Sequence, residues 1–306
     1  MSSKVATIGF FDGVHRGHQF LCRQLRQLAG QGGTTLVLTF DEHPQRVLGR
    51  PSPPQLLTSN AEKAYFLENV CGMDEVIFLA FTEEIASLSA REFMEKYLRD
   101  QYHVTHLLIG YDHHFGRPQG ETFEDYQRFG RELGIEVVLA TELPAESSVS
   151  SSAIRRMIAE GDVATANAML GYTYRISGTV VSGHQVGRTI GFPTVNLQPA
   201  NDTMLLPAAG VYVTMVRVRG RDYPAVTNVG HRPTIGNGPE LSVESHFLGV
   251  EKLPPYADEP ISVDLYTRLR AEQRFDTIDD LKAQIAQDVA EAVEWHRGHA
   301  TIYPSL

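Results

Sequence analysis

Apolar positions along the chain follow two different rhythms. In the first half, short apolar runs alternate with stretches in which apolar residues recur every three or four positions. Val5-Ala6-Thr7-Ile8 reads as a strand, and 17–28 as a helix with Phe20, Leu21, Leu25 and Leu28 along one side. The same reasoning predicts strands over 35–39, 75–79, 106–109 and 135–139, and helices over 61–70, 89–98 and 123–133. Strands separated by helices imply an α/β fold, a parallel sheet with helices on both faces. Ligands of such sheets sit beyond the carboxyl ends of the strands.

From about residue 172 the period drops to two. Gly210–Arg219, Leu241–Phe247 and Ile261–Tyr266 alternate apolar and polar positions, with Gly, Pro and Asn clusters between them. This predicts an antiparallel sheet closed into a small β-barrel. A terminal helix over 278–295 carries Ile278, Leu281, Ile285, Val289, Ala292 and Val293 as its apolar stripe. Between the halves, 150–170 reads as two short helices broken at Gly161-Asp162. The boundary is placed near Gly171, giving domains 1–171 and 172–306, with no internal repeat.

Composition narrows the partners. The 306 residues are 42% hydrophobic and 21% charged, with a formal net charge of −10. That balance argues against a long nucleic acid, which calls for a basic face, but not against a small phosphorylated ligand. The longest apolar run, Val76–Phe81, is far short of the roughly 20 residues that cross a bilayer. The opening MSSKVATIGFF has no signal-peptide layout, and Cys22 and Cys71 are the only cysteines, as suits a reducing compartment. The expectation is a cytoplasmic two-domain protein without nucleic-acid or membrane partners. The sequence is silent on oligomeric state.

Two constellations carry chemistry. The first strand runs into Gly9-Phe-Phe-Asp-Gly-Val-His-Arg-Gly-His18 and then a helix. Gly9 and Gly13 allow backbone to approach a ligand, and Gly17 lets the helix start lie tight against phosphate. His15 and His18 then flank the phosphates near the positive helix end, where they can stabilise charge on a transferring phosphorus and its leaving group. Asp12 and Asp112 each read as a solvated loop carboxylate or a pocket group. In Val149-Ser-Ser-Ser-Ala-Ile-Arg155 the serines supply hydroxyls and helix-start amides, and Arg155 a fixed cation. His103, His106, His113 and His114 lack a second ligand cluster at metal spacing, which argues against a zinc site.

The second constellation is Gly178–Asn196. Gly183, Gly187 and Gly191 suit a loop that wraps phosphates with main-chain amides, although the segment also reads as a glycine-rich hairpin. Gly-Lys-Ser/Thr is absent, so this is not a Walker loop. Thr194 and Asn196 offer hard oxygen donors suited to Mg²⁺ that already carries nucleotide phosphates. Glu244 alternates with Val243 and Ser245 on its strand, where a surface ion pair is the plain reading.

Phe11-Asp-Gly-Val-His-Arg-Gly-His18 resembles the signature of the nucleotidyltransferase module of bacterial bifunctional riboflavin kinase/FAD synthetases. Thr39-Phe-Asp-Glu-His-Pro44, Gly110-Tyr-Asp-His-His-Phe-Gly116 and Val149–Arg155 are similar to three further motifs of that module, in order. In the second half, Gly187-Arg-Thr-Ile-Gly-Phe-Pro-Thr-Val-Asn196 resembles the riboflavin kinase motif. Gly210-Val-Tyr212, Asn228–Thr234, Val243-Glu-Ser-His246 and Arg270–Phe275 follow it in family order. The sequence departs at Glu42 (usually proline), at Ser152 (usually threonine) and at Pro118-Gln119, where an arginine is common.

The resemblance implies a Rossmann-like nucleotidyltransferase domain followed by a riboflavin kinase barrel, with ATP, riboflavin and FMN as partners and Mg²⁺ accompanying ATP. It implies nucleotide contacts at Gly9, Phe11, Asp12, Gly17, Asp112, Ser151, Arg155, Gly183, Gly187 and Arg188, with His15 and His18 catalytic. His43 would line the adenylyl pocket. Glu244 would be the base on the ribityl 5′-hydroxyl, Thr194 and Asn196 the metal ligands, and Arg270 and Arg274 flavin contacts. Two alternatives stand: a working kinase whose first domain has drifted to another substrate, and a flavin-binding protein without turnover.

Overall fold

The computed structural model describes residues 3–110, 115–116, 120–142, 149–182, 186–231, 241–250 and 256–299. Asp112, His113, His114, Pro118, Gln119 and Gly183 lie outside the described residues, and so does the side chain of Arg188. The chain forms two compact units, Met1–Ser151 and Ser152–Leu306.

The first unit is built on five parallel strands: β1 (Lys4–Ile8), β2 (Thr34–Phe40), β3 (Glu75–Leu79), β4 (His106–Ile109) and β5 (Glu136–Leu139). Their order is β3-β2-β1-β4-β5, so the chain reverses direction across the sheet between β1 and β4. The predicted strands fall at these positions. Alternate residues enter two cores because strand side chains have a period of two. Val5, Val37 and Leu108 face α1 (Arg16–Ala29) through Cys22 and Leu25, together with Leu67, which follows α2 (Pro44–Val47) and α3 (Asn60–Tyr65). Ala6, Leu36, Leu38, Leu107 and Ile109 face the opposite core, which contains Phe93, Met94, Leu98 and Tyr126. These come from the segment after α4 (Glu83–Ser87): α5 (Ala90–Phe93), its π-helical continuation Met94–Gln101, and α6 (Phe123–Leu133). α3 likewise continues as a π-helical turn, Phe66–Val70.

The second unit opens with α7 (Ser151–Glu160) and α8 (Val163–Leu170), the two short helices expected on either side of Gly161-Asp162. They pack on the barrel. Asn167 Nδ2 donates to the Leu265 carbonyl at 2.8 Å and its Oδ1 accepts from Tyr174 N at 2.7 Å. Packing therefore divides the chain at Ser151, whereas the hydrophobic period changes near Gly171. The barrel strands are β6 (Tyr174–Val181), β7 (Val195–Pro199), β8 (Gly210–Val218), β9 (Arg221–His231), β10 (Leu241–Phe247) and β11 (Pro260–Ala271), with α9 (Val186–Thr189) before β7. They close in the order β10-β7-β6-β11-β8-β9.

Inside the barrel, Thr214, Thr227 and Ser245 link β8, β9 and β10 through hydroxyl contacts of 2.7 and 2.8 Å, so buried polar atoms satisfy one another. On the outer face, Val211, Val213, Met215 and Val226 pack against α10 (Ile278–Gly298). The predicted stripe on α10 needs one correction. Ile278 is 63% exposed, and the buried line is Asp288, Ala292 and His296, spaced one turn apart. Two of these are polar because the barrel supplies their partners: Arg270 for Asp288 and the Thr214 carbonyl, 3.1 Å from Nε2, for His296.

Burial holds the His296 pKa below its ordinary value, against the favourable effect of the Thr214 hydrogen bond. The unfolded chain therefore binds a proton that the folded barrel resists, and stability falls as pH drops through the unfolded histidine value of about 6.5. Urea titrations between pH 8 and 5 are expected to show this loss, with a smaller slope in His296→Gln. Equal slopes in the two proteins would contradict the assignment.

Candidate active sites

The first site is built on the turn between β1 and α1, beside the point where the sheet reverses. Gly9 N continues the ladder to the Leu38 carbonyl at 3.1 Å. Phe11 (φ 53°), Gly13 (φ 76°) and Val14 (φ 33°) then all adopt positive φ. For a β-branched residue such as Val14 this is strained backbone, so something must hold it. That group is Asp12, 2% exposed, whose carboxylate accepts from Leu57 N at 3.0 and 3.1 Å and from Thr58 N at 3.2 Å. Gly13 N donates to Thr58 Oγ1 at 3.1 Å, and Ser151 Oγ donates to the Asp12 carbonyl at 2.9 Å. Asp12 and Ser151, expected at a nucleotide, thus shape the loop that would hold it.

The turn delivers His15 as the N-cap of α1, its Nδ1 accepting from His18 N at 3.4 Å, and the two imidazoles stack at 3.7 Å between centroids. A Cβ at Gly17 would lie 3.2 Å from the His15 ring, tight enough that the ring would have to shift. The N-terminal amides and positive end of α1 share the location, a natural place for phosphate. His43, at the N-cap of α2, meets the Phe10 ring edge-on at 4.7 Å. Lys63 of α3, which the sequence reading missed, is 1% exposed, with Nζ 3.9 Å from the Phe10 centroid and 3.3 Å from the Phe40 carbonyl. Arg155 lies on α7, in the second unit.

The second site is a cavity of about 310 Å³ between the outer face of the barrel and the first half of α10. Its walls are largely apolar: Ile190, Phe192, Val211, Val226, Phe275, Leu281 and Ile285. Glu244 and His246 line it while Val243, Ser245 and Phe247 are buried, so the expected alternation on β10 holds. Register places Glu244 between Asn196 of β7 and Asn228 of β9, on one face of three adjacent strands. Thr194 and Gly187 also line the cavity. Asn196 is buried, and among the described residues its Oδ1 has no hydrogen-bond partner, an arrangement that fits a ligand atom awaiting a cation. His246 Nδ1 lies 2.9 Å from the Pro193 carbonyl and braces the turn that carries Thr194.

Arg270 and Arg274 separate in position, and Arg270 is the one that lines the cavity. Arg274 is exposed. Arg270 is held by the nearly buried Asp288, with Nε–Oδ1 at 2.9 Å and Nη2–Oδ2 at 2.8 Å, and Gln284 donates to the same carboxylate at 3.0 Å. Asn228 stood out in the sequence only as the first residue of a family motif, and Asp288 not at all. An aspartate inside a helical stripe is invisible to a search for apolar residues.

One candidate site therefore lies at the strand ends of a parallel sheet and the other on the face of a barrel. The FAD synthetase family model matches residues 1–153 and the riboflavin kinase model matches 170–296. The bifunctional riboflavin kinase/FMN adenylyltransferase of Listeria monocytogenes is 35% identical over 94% of this chain and 90% of its own. That of Escherichia coli K12 is 37% identical over 95% and 92%. A solved structure described as a macrolide-efflux protein from Streptococcus pneumoniae superposes with a TM-score of 0.87 at 32% identity, covering 96% of this chain and 95% of its own. No helix among the described residues is long and apolar enough to cross a membrane. The chain belongs to the bifunctional riboflavin kinase/FMN adenylyltransferase family.

Asp288→Ala is expected to leave Arg270 without its counter-ion and to destabilise the barrel by about 3 kcal/mol, the low end for a buried pair because Arg270 keeps 20% exposure. Urea unfolding measures this, and an unchanged midpoint would show that the pair does not anchor α10.

Proposed function

We propose that the two sites divide two consecutive steps on one flavin between them. The barrel phosphorylates riboflavin with ATP to give FMN and ADP. The sheet unit transfers AMP from a second ATP to FMN, giving FAD and pyrophosphate. The observation that carries this division is the placing of one carboxylate, Glu244, in the barrel cavity, against stacked histidines at a helix N-terminus in the other unit.

The chemistry requires that difference. Riboflavin attacks through a 5′-hydroxyl, which must lose a proton as it bonds to the γ-phosphorus of ATP. Glu244 takes that proton, and ADP leaves. The apolar walls suit the flat ring of the flavin, and Asn228 and Thr194 supply polar contacts at the carboxylate end. Thr194 and Asn196 would hold Mg²⁺, which neutralises phosphate charge in the bound nucleotide. Arg270 anchors α10 as a wall of the cavity, and Arg274 remains the cation positioned at the surface for a flavin phosphate.

FMN attacks through a phosphate oxygen that is already anionic, so no base is needed. The requirement is to hold two polyanions together and stabilise charge on the α-phosphorus and the departing pyrophosphate. The α1 amides, His15 and His18 supply this, and Gly9, Phe11 and Gly17 shape the bed. In this reading Asp112 and Arg155 add nucleotide contacts for this step, whereas Gly183, Gly187 and Arg188 belong to the nucleotide of the kinase step. Cytoplasmic residence fits the two reduced thiols, Cys22 and Cys71.

Single variants separate the steps. Glu244→Gln is expected to lower FMN formation by about a hundredfold or more while still converting supplied FMN to FAD. His18→Ala is expected to do the reverse, by about a hundredfold or more. Chromatography of flavin products reads both; loss of both steps in either folded variant would overturn the division of labour.

A further inference from the structure

The least expected group in the sheet unit is the side chain of Lys63. It is 1% exposed, a burial that is costly for an ammonium. Its Nζ donates to the Phe40 carbonyl at 3.3 Å and sits over Phe10 at 3.9 Å, with the Phe78 ring at 5.6 Å. Phe40 ends β2 and Phe10 follows β1, so the ammonium lies between the two strand ends that carry the candidate chemistry. On the β1 side, the turn continues through Asp12 to His15 and His18. On the β2 side, it continues through Asp41 to His43, whose ring rests edge-on against the same Phe10.

We infer that Lys63 is a positioning residue for adenylyl transfer, a buried cation that holds the turns after β1 and β2 in their nucleotide-binding arrangement. The inference rests on the assignment of that reaction to this unit. Among the described residues Lys63 reaches the site through Phe10 and the Phe40 carbonyl, so the role is one of placement.

Energetics point the same way. Burial lowers the Lys63 pKa from 10.5 to about 8, and the charges of Asp12 and Asp41 only partly offset this. A folded-state value below the unfolded one means that the charged lysine opposes folding. The opposition is fully present below about pH 8 and relieved as pH rises toward the unfolded value. A charge kept at a cost to stability, where a neutral chain of similar length would pack, is better explained by the site than by the fold. The groups facing it are Asp12 from the β1 turn, Asp41 from the β2 turn and, beyond Phe10, His43. On its own helix, Glu62 is engaged in the capping box with Ser59.

Lys63→Met in the full chain tests this, with FMN formation by the barrel as the internal control. Expected are a melting temperature no lower than that of the parent, unchanged FMN formation, and kcat/KM for conversion of FMN to FAD lower by about tenfold or more. In the parent, kcat/KM for that step should also fall as pH rises through about 8, where the lysine loses its proton. The limb should be absent from the variant and from the kinase step. Unchanged FAD formation in the variant would overturn the inference, as would an alkaline limb shared by parent and variant. A lower melting temperature accompanying the loss would assign Lys63 to folding instead, and so overturn it. A parent that makes no FAD from FMN would refute the assignment of the reaction itself, a result distinct from any of these.

Discussion

The inward carboxylate of Asp12 is the interaction on which the sheet unit's chemistry depends. A parallel sheet presents ligands to the loops beyond its strand ends, and the loop after β1 must turn sharply to start α1 at the phosphates. Phe11 and Val14 adopt positive φ to make that turn, at a cost of about 1–3 kcal/mol each. Asp12 offsets the strain by accepting hydrogen bonds from Leu57 and Thr58, main chain far away in sequence. With the turn held, His15 caps α1, Gly17 lets its ring fold back, and His18 stacks on it. Removing the carboxylate would release the histidines without touching either one.

The barrel solves a different problem. Period-two alternation sends Thr227, Val243 and Ser245 inward and Asn228, Glu244 and His246 outward. The inner set satisfies its polar atoms within the barrel, whereas the outer set faces the cavity. An amide oxygen at Asn196 without a partner among the described residues, beside a carboxylate, is expensive unless a ligand completes it. The Arg270–Asp288 pair keeps α10 over this face, so the wall of the cavity depends on a charge pair between β11 and a helix that follows it.

Much of this was legible in sequence. Strands β1 to β5 showed as apolar runs, and the side of β10 that carries Glu244 followed from alternation alone. The turn motif at 9–18 placed glycine and histidine where a strand-to-helix junction needs them. Other features were hidden for physical reasons. β6, β7 and β9 contain glycine, proline or few apolar residues, and Pro224 sits within β9, where local propensity opposes a strand. Asp12 read as either a solvated loop carboxylate or a pocket group, and its structural role was hidden because its partners are 45 and 46 residues away. Lys63, Asp288 and His296 occupy buried positions on helices, where only the packing partner explains a polar side chain.

The central claim is that one chain makes FMN at the barrel and converts it to FAD at the sheet. The most direct measurement is a time course of the purified protein with riboflavin, excess ATP and Mg²⁺, followed by chromatography of the flavins and assay of pyrophosphate. FMN is expected to rise first and then to fall as FAD accumulates with one pyrophosphate per FAD. Accumulation of FMN with neither FAD nor pyrophosphate would contradict it.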